Sequence, residues 1–217
     1  MAVIAVIQQK GGVGKSTISA NLAGELIHLK RTVILLDLDP QQSLTQWAQM
    51  GDGLLRRFVR PVDVEDKQHR TFRLEVERAR GEADYVILDS PPGFPEAGML
   101  AALAADLALL PVTPSPLDLL AAKQALEMIR EAQGQRAGKK PLIAFIPSKV
   151  VQSTTLGRDL PANLKELGEV VLPAIHQRII VAEAVLEGAT VREIFKESEA
   201  VEEFQKLARA VEKMVGK

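Results

Sequence analysis

The feature that most constrains the fold of this chain is a glycine-rich loop between an apolar run and a helical pattern. Ala2–Gln8 is apolar, as in a strand covered on both faces, and Thr17–Leu29 carries apolar residues at helical spacing. Between them Lys10–Thr17 reads KGGVGKST, and Gly14–Ser16 matches the end of the phosphate-binding pattern G-x-x-x-x-G-K-[ST], with Gln9 in place of its first glycine. This order predicts a loop whose backbone N–H groups and following helix N-terminus bind phosphate.

Short apolar runs alternate with periodic segments along the rest of the chain. The predicted strands are Val33–Leu36, Tyr85–Leu88, Leu107–Val112, Leu142–Ile146 and Val170–Leu172, and the clearest later helix is Leu117–Ala132. This alternation predicts an α/β fold, a mostly parallel twisted sheet with helices on both faces, as one domain over residues 1–217. Gly51–Arg80 has weak periodicity and predicts no definite elements.

The loop pattern assigns chemistry to three of its side chains. Lys15 is expected to reach the β- and γ-phosphates, and the Ser16 hydroxyl is expected to bind Mg²⁺. Thr17 is expected to make a further phosphate contact. The alternative is a glycine-rich turn that only caps a helix, but such a turn does not require a preceding strand.

Three aspartates follow predicted strands. Asp37 and Asp39 come after the second strand, and Asp89 ends the third. Carboxylates two residues apart on an extended segment point the same way, and the ends of parallel strands form the usual ligand-binding edge of such a sheet. We therefore expect them near the phosphates, where one carboxylate holds the Mg²⁺ shell and another orients water.

These motifs together resemble the ParA/MinD superfamily of ATPases. KGGVGKST resembles its deviant Walker A motif, DLDPQ at Asp37–Gln41 resembles D-x-D-P-Q, and DSPP at Asp89–Pro92 agrees with D-[TS]-P-P. The resemblance implies a P-loop NTPase that uses ATP and Mg²⁺. It also implies an ATP-bound homodimer in which Lys10 contacts the nucleotide held by the other subunit. By the same likeness Asp39 acts on the attacking water, Asp37 supports it, and Asp89 holds Mg²⁺ through water.

Two later segments extend the resemblance. Pro111–Asp118 resembles the proline-rich loop of the partition branch, and Ile146–Lys149 lies where that branch has an asparagine followed by a basic residue near the base. The asparagine is absent, so ATP rather than GTP is expected from the family alone. The candidate nucleotide-binding residues are Lys10, Gly11, Gly12, Val13, Gly14, Lys15, Ser16, Thr17, Pro114 and Lys149. The candidate catalytic residues are Lys10, Lys15, Asp37 and Asp39, and the candidate metal ligands are Ser16, Asp37 and Asp89.

The amino-acid composition limits which branch of the superfamily this chain can resemble. The chain has no cysteine, which excludes disulfides, thiolate metal sites and the iron–sulfur relatives of the superfamily. The C-terminal segment has an apolar stripe, but its other face mixes acidic with basic residues, whereas a membrane-surface helix favours lysine and arginine. A helix packed on the sheet is therefore expected, and membrane binding is not.

Because the formal net charge of the chain is −1, any affinity for DNA must come from a local cluster of basic residues. Basic residues are dense in Arg56–Arg80 and Arg130–Lys149, and Arg178 and Arg192 lie in a segment that resembles the partition branch. A charged run is more often a solvated face than a DNA contact.

The favoured hypothesis is a ParA-type partition ATPase that dimerises with ATP and binds DNA non-specifically. A separately encoded ParB-like or other activator protein stimulates hydrolysis, which segregates or positions a plasmid, chromosome or other cargo. The protein is expected to be cytoplasmic, and nucleoid-associated when ATP-bound. The alternatives are a MinD-like membrane-cycling positioning ATPase and a metabolic P-loop kinase or synthetase.

Overall fold

In the part of the chain that the structure describes, the sheet has seven strands, all parallel. A computed structural model describes residues 1–64, 69–136 and 140–216 of the chain. The strands are β1 (Ala2–Val6), β2 (Val33–Asp37), β3 (Val59–Pro61), β4 (Tyr85–Asp89), β5 (Leu107–Val112), β6 (Leu142–Pro147) and β7 (Val170–Val171). Their spatial order is β3-β2-β4-β1-β5-β6-β7, and each neighbouring pair is parallel. The predicted fold class is confirmed.

Helices connect the strands and cover both faces of the sheet. They are α1 (Lys15–His28), α2 (Ser43–Gln49), α3 (Leu55–Phe58), α4 (Arg70–Glu82), α5 (Pro95–Ala104), α6 (Pro116–Gln135), α7 (Thr155–Lys165), α8 (Ile179–Leu186), α9 (Val191–Ile194) and α10 (Glu199–Met214). One layer contains α1–α3 and α8–α10, and the other contains α4–α7. That residues 1–217 form a single domain stays a prediction.

The two cores follow from the alternation of side chains along each strand. In β1, Ile4 and Val6 face the layer of α1 and α10, whereas Val3 and Ala5 face the layer of α4–α7. Every residue of β1 is buried, so the strand must be apolar on both faces. This is why the predicted strands are continuous apolar runs rather than alternating ones.

The segment Gly51–Arg80, where the sequence predicted no definite elements, contains α3, β3 and most of α4. The strand β3 has only three residues and pairs with β2 at the edge of the sheet. Helix α4 buries only Phe72, Val76 and Ala79, a stripe one residue wide. Such short or narrow elements depend on their neighbours, and the sequence pattern alone does not reveal them.

The C-terminal helix α10 packs on the sheet, as its amphipathic pattern predicted. Val201, Phe204, Leu207, Ala208 and Val211 are buried in the core that α1 also lines. The apolar stripe is therefore covered by protein and does not face outward. Among the residues described, no helix is both long enough and apolar enough to cross a bilayer.

We expect Phe204→Ala to lower the free energy of unfolding by about 3–5 kcal/mol, because it empties a site where the side chain is only 1% exposed. Urea denaturation measures the difference. Arg209→Ala, on the exposed face of the same helix, is the matched control and is expected to change the free energy by less than about 0.5 kcal/mol. Equal effects of the two substitutions would mean that α10 does not pack as described.

Candidate functional site

The site lies where the carboxyl ends of three neighbouring strands meet. Strand β4 lies between β2 and β1, with Asp89 paired in register to both Asp37 and Val6. From β1 the chain proceeds to β2 on one side of the sheet and later to β5 on the other. Ligands of open α/β sheets bind at such a reversal of strand order. The glycine-rich loop and the three predicted aspartates are thus brought to one edge.

The glycine-rich loop has a backbone that other residues rarely adopt. Gly12 has φ 78° and Gly14 has φ 94°, both in the left-handed region that glycine favours. A Cβ at Gly14 would also lie 3.0 Å from the Ser148 hydroxyl. Because Gly14 is the N-cap of α1, this conformation directs the loop into the helix. The first free N–H groups of α1 then face the space above the loop.

Residues after other strands fasten this loop. The Ser148 hydroxyl donates to the Val13 carbonyl (2.7 Å), and the Lys149 ammonium donates to the Gly12 carbonyl (2.7 Å). On the other side the Gly93 N–H donates to the Gln9 carbonyl (2.8 Å). Loop carbonyls are therefore turned toward protein donors, which leaves N–H groups for a ligand. The sequence pointed to Lys149 but not to Ser148 or Gly93.

The Lys15 side chain is a buried cation at the start of α1. It is 6% exposed, and its ammonium donates to the Lys10 carbonyl (3.1 Å). Burial lowers the pKa of Lys15, while the nearby Asp89 and Asp39 carboxylates act in the opposite direction. A buried ammonium with one neutral acceptor is suited to bind an anion such as a phosphate.

Asp89 is a buried acid, 1% exposed like Asp37. Its carboxylate accepts a hydrogen bond from the Ser19 hydroxyl (2.8 Å). Burial raises the pKa of Asp89 to about 7, which outweighs the opposing effect of the Ser16 and Ser19 hydroxyls. Asp89 therefore links the end of β4 to α1, close to the Ser16 hydroxyl.

Asp37 and Asp39 differ in their surroundings. Asp37 is buried and accepts from the Asp39 N–H (3.1 Å) and from the Thr45 N–H and hydroxyl (both 2.8 Å). Burial raises the pKa of Asp37, and the hydrogen bonds from Thr45 oppose that effect. Asp39 is only partly buried. Asp37 thus holds the turn into α2, and this turn presents Asp39 to the open side of the loop.

The phosphate cavity, of about 260 Å³, brings most of the predicted residues together. Its lining residues are Gly11, Gly12, Gly14, Lys15, Ser16, Thr17, Asp39, Ser43, Ser90, Pro92 and Lys149. The cavity combines a buried cation, backbone donors and one carboxylate, an arrangement suited to a phosphate chain and a reacting water. Ser43, Ser90 and Pro92 carried no separate signal in the sequence.

A second, mostly apolar cavity of about 280 Å³ adjoins the first; we call it the side cavity. It is lined by Gly14, Thr17, Ile18, Ser148, Lys149, Ile175, His176, Gln177, Arg178, Val181, Ala182 and Val185. The two cavities share Gly14, Thr17 and Lys149. The segment 175–185, which includes most of α8, is far from the loop in sequence, and no pattern in the sequence links it to the site.

These residues fit a Mg²⁺-nucleotide. Polyphosphate requires backbone donors and a cation, and the phosphate cavity supplies both. No group of three or more acidic or histidine side chains arranged to hold a metal is found among residues 1–64, 69–136 and 140–216. Mg²⁺ usually takes one or two protein ligands and completes its shell with water and phosphate oxygens. Ser16 would hold it directly, with Asp89 behind Ser16.

Five predicted residues do not line the phosphate cavity. Asp89 lies behind Ser16, and Val13 is buried, with its carbonyl accepting from the Ser148 hydroxyl. Lys10 forms an ion pair with Asp118 instead of entering the cavity. Asp37 lines a neighbouring cavity of about 450 Å³ together with Asp39, and Pro114 lines neither the phosphate cavity nor the side cavity. Their predicted roles as nucleotide or metal contacts stay predictions.

Most of the candidate DNA-contacting cations bind other parts of the protein. Arg192 pairs with buried Glu25 through two hydrogen bonds of 2.7 Å, and Arg178 pairs with Glu199 and Glu203. Four basic residues of the segment Arg130–Lys149 form hydrogen bonds within the protein: Arg130, Arg136, Lys140 and Lys149. The fifth, Lys139, lies outside the described residues. In Arg56–Arg80, Lys67 also lies outside them. Arg57 and Arg73 are exposed and form no ion pair with any residue the structure describes.

Comparisons with known proteins agree with this geometry. A family model described as the CobQ/CobB/MinD/ParA nucleotide binding domain matches residues 4–191. The maintenance of carboxysome distribution protein A of Halothiobacillus neapolitanus is 33% identical over 190 residues, covering 87% of this chain and 85% of that protein. The chromosome-partitioning ATPase Soj of Thermus thermophilus is 30% identical, covering 96% and 94%. The Mg-ADP complex of MinD from Pyrococcus horikoshii has a TM-score of 0.77 at 22% identity, covering 99% and 97%.

The raised pKa of Asp89 predicts a pH-dependent stability in the absence of nucleotide. The folded protein keeps a proton on Asp89 up to about pH 7, whereas an unfolded aspartate loses it near 3.8. This contribution to stability is full below that lower value and is lost as pH rises through about 7. We expect it to reach about 4 kcal/mol.

Urea denaturation of the parent and of Asp89→Asn between pH 4 and 8 measures this contribution. The free energy of unfolding of the parent should fall more steeply with rising pH than that of the variant. Exposed Asp159→Asn, which makes the same chemical change on α7, should follow the parent. Parallel curves for parent and Asp89→Asn would contradict the assignment.

Proposed function

Because this chain belongs to the CobQ/CobB/MinD/ParA nucleotide-binding family, we propose that it is a ParA-type ATPase that binds and hydrolyses ATP with Mg²⁺. In this proposal ATP closes a homodimer, and the dimer binds DNA non-specifically. A separate activator protein then stimulates hydrolysis and so releases the dimer. The cycle moves or positions a cargo inside the cell.

The observation that carries this proposal is the phosphate cavity, where a buried lysine and a partly buried carboxylate line the same space above a glycine-rich loop. Phosphoryl transfer to water depends mainly on positioning and on neutralising charge. Lys15 and the loop N–H groups bind the β- and γ-phosphates, and Asp39 orients the attacking water. Mg²⁺, when bound at Ser16, supplies charge neutralisation for the same phosphates.

The side cavity supports a nucleotide rather than a free polyphosphate as ligand. It continues from the phosphate cavity through Gly14, Thr17 and Lys149, and its lining from α8 is apolar. A base and ribose fit such a surface, since ligand sites combine apolar walls with a few polar groups. Preference for ATP over GTP rests on the family alone.

Slow intrinsic hydrolysis is expected from the composition of the phosphate cavity. None of the described residues that line it is an arginine. An arginine that neutralises the transition state raises the rate of phosphoryl transfer by orders of magnitude. A partner that completes the charge at this cavity would therefore activate the enzyme, which makes hydrolysis a controllable step.

The kind of cargo is proposed from the names of two relatives. One relative is named for carboxysome distribution and another for chromosome partitioning. Both names describe the positioning of a large object, and a DNA-bound ATPase with a cargo-bound activator is one mechanism for it. A MinD-like membrane cycle is less favoured, because the apolar stripe of α10 is already buried in the core.

Lys10→Ala should remain monomeric with ATP, because it removes the ammonium that contacts the nucleotide of the other subunit. Sedimentation velocity with ATP, ADP or no nucleotide measures this. The parent should dimerise with ATP alone. Lys213→Ala, which removes an exposed lysine at the end of α10, is the control and should behave as the parent. ATP-dependent dimers of Lys10→Ala would contradict a dimer in which Lys10 contacts the nucleotide of the other subunit.

DNA binding is tested with Asp39→Ala, which should bind ATP without turning it over and so hold the dimer. An unrelated duplex should be retained with ATP but not with ADP, and retention should weaken as salt rises, because the contacts are with phosphates. The double variant Arg57→Ala, Arg73→Ala should bind DNA with a weaker salt dependence. The slope of log affinity against log salt concentration should fall in magnitude by about one for each phosphate contact removed. Arg130→Ala, whose side chain pairs with Glu169, serves as control. Failure to bind DNA even at low salt would exclude it as the partner.

A further inference from the structure

The Lys10 side chain, which the proposed ATP-bound dimer needs, forms an ion pair with Asp118. The Lys10 ammonium donates to one carboxylate oxygen of Asp118, and the Thr113 hydroxyl donates to the other. Asp118 lies in the first turn of α6 and is only 3% exposed, while 41% of the Lys10 side chain is exposed. The carboxylate is thus fixed and buried, and its ammonium partner is the mobile member of the pair.

The backbone of Lys10 is held independently of this ion pair. Its carbonyl accepts from the Lys15 ammonium (3.1 Å), and the preceding carbonyl of Gln9 accepts from the Gly93 N–H (2.8 Å). The loop therefore keeps its place when the Lys10 side chain moves. Only the side-chain torsions of Lys10 decide whether its ammonium lies on Asp118 or elsewhere.

One ammonium cannot neutralise two anions in different places. In the described structure Lys10 neutralises Asp118, and in the proposed dimer it contacts the nucleotide of the second copy. Removing the ammonium leaves a buried carboxylate with the Thr113 hydroxyl as its remaining described partner, which is unfavourable. Dimer formation then requires the phosphates to compete successfully with Asp118. A nucleotide shifts this equilibrium only if it binds more tightly when Lys10 contacts it than when Lys10 pairs with Asp118.

We propose that Asp118 is a positioning residue that holds Lys10 away from the subunit interface until the nucleotide of a second copy displaces it. This inference rests on the proposed function, because it requires that Lys10 act across a dimer. Asp118 raises the ATP concentration at which dimers form, and so suppresses dimers when the site is empty or holds ADP. Thr113 keeps the carboxylate oriented in both states.

Asp118→Asn tests the proposal with little change of shape. The amide oxygen can still accept from the Thr113 hydroxyl, but the charge that retains Lys10 is gone. We expect the ATP concentration for half-maximal dimerisation to fall about three- to tenfold in sedimentation velocity, as expected for the loss of one partly exposed ion pair. ATP affinity of the monomer, measured at protein concentrations too low for dimers, should not change, although damage to the fold would reduce it.

The controls separate this inference from the proposed function. Asp159→Asn makes the same charge change on an exposed part of α7 and should dimerise as the parent. Asp118→Ala is the second variant should the amide destabilise the protein, and it should shift the midpoint in the same direction.

Two results would overturn the proposal. A midpoint that rises in Asp118→Asn would mean that Asp118 aims Lys10 at its target. An unchanged midpoint, in a protein that still needs Lys10 to dimerise, would mean that the ion pair does not compete with the nucleotide. If Lys10→Ala dimerises like the parent, the proposed function fails, because Lys10 then does not act across the dimer. That result is distinct from the two that concern Asp118.

Discussion

The site depends on the buried hydrogen bond that the Ser19 hydroxyl donates to Asp89. This bond joins the N-terminal part of α1 to the end of β4, two elements that are remote in sequence and adjacent in space. Together with the burial of Ile18, Leu22 and Leu26 in the core, this link fixes the rotation of α1 relative to the glycine-rich loop. A carboxylate buried in this way binds a proton readily, and its raised pKa reflects how little the surroundings stabilise its charge. The same position is therefore prepared for a cation.

A second set of contacts closes the loop from the opposite side. Ser148 and Lys149, which follow β6, bind loop carbonyls, and the chain after β7 continues into α8 beside them. The phosphate cavity and the side cavity are thus formed by five separated parts of the chain. A nucleotide that filled both would touch the loop, Lys149 and α8 together. A nucleotide bound in this way would depend on how α8 packs against the core.

The charged side chains divide into those that maintain the fold and those that remain available. Glu25, Glu203 and Asp118 are buried acids, each with a basic partner. The first two pairs involve arginines whose side chains are 20% and 28% exposed, whereas the Lys10 side chain is 41% exposed and lies at the edge of the nucleotide site. An ion pair with one exposed lysine is weaker and more easily exchanged than a bidentate arginine pair. Lys10 is accordingly a suitable side chain to change partners during a cycle.

The sequence by itself determined the phosphate loop, the aspartates at the strand ends and the parallel sheet, because each depends on local pattern: glycines, strand-length apolar runs and their order. It also predicted that α10 packs on the sheet. It did not reveal β3, α4 or the side cavity, nor which arginines are free, because these depend on contacts between segments far apart in the chain. The partner of Lys10 is the clearest case. Residues 10 and 118 meet only because β5 lies beside β1 in the sheet, and no local pattern carries that adjacency.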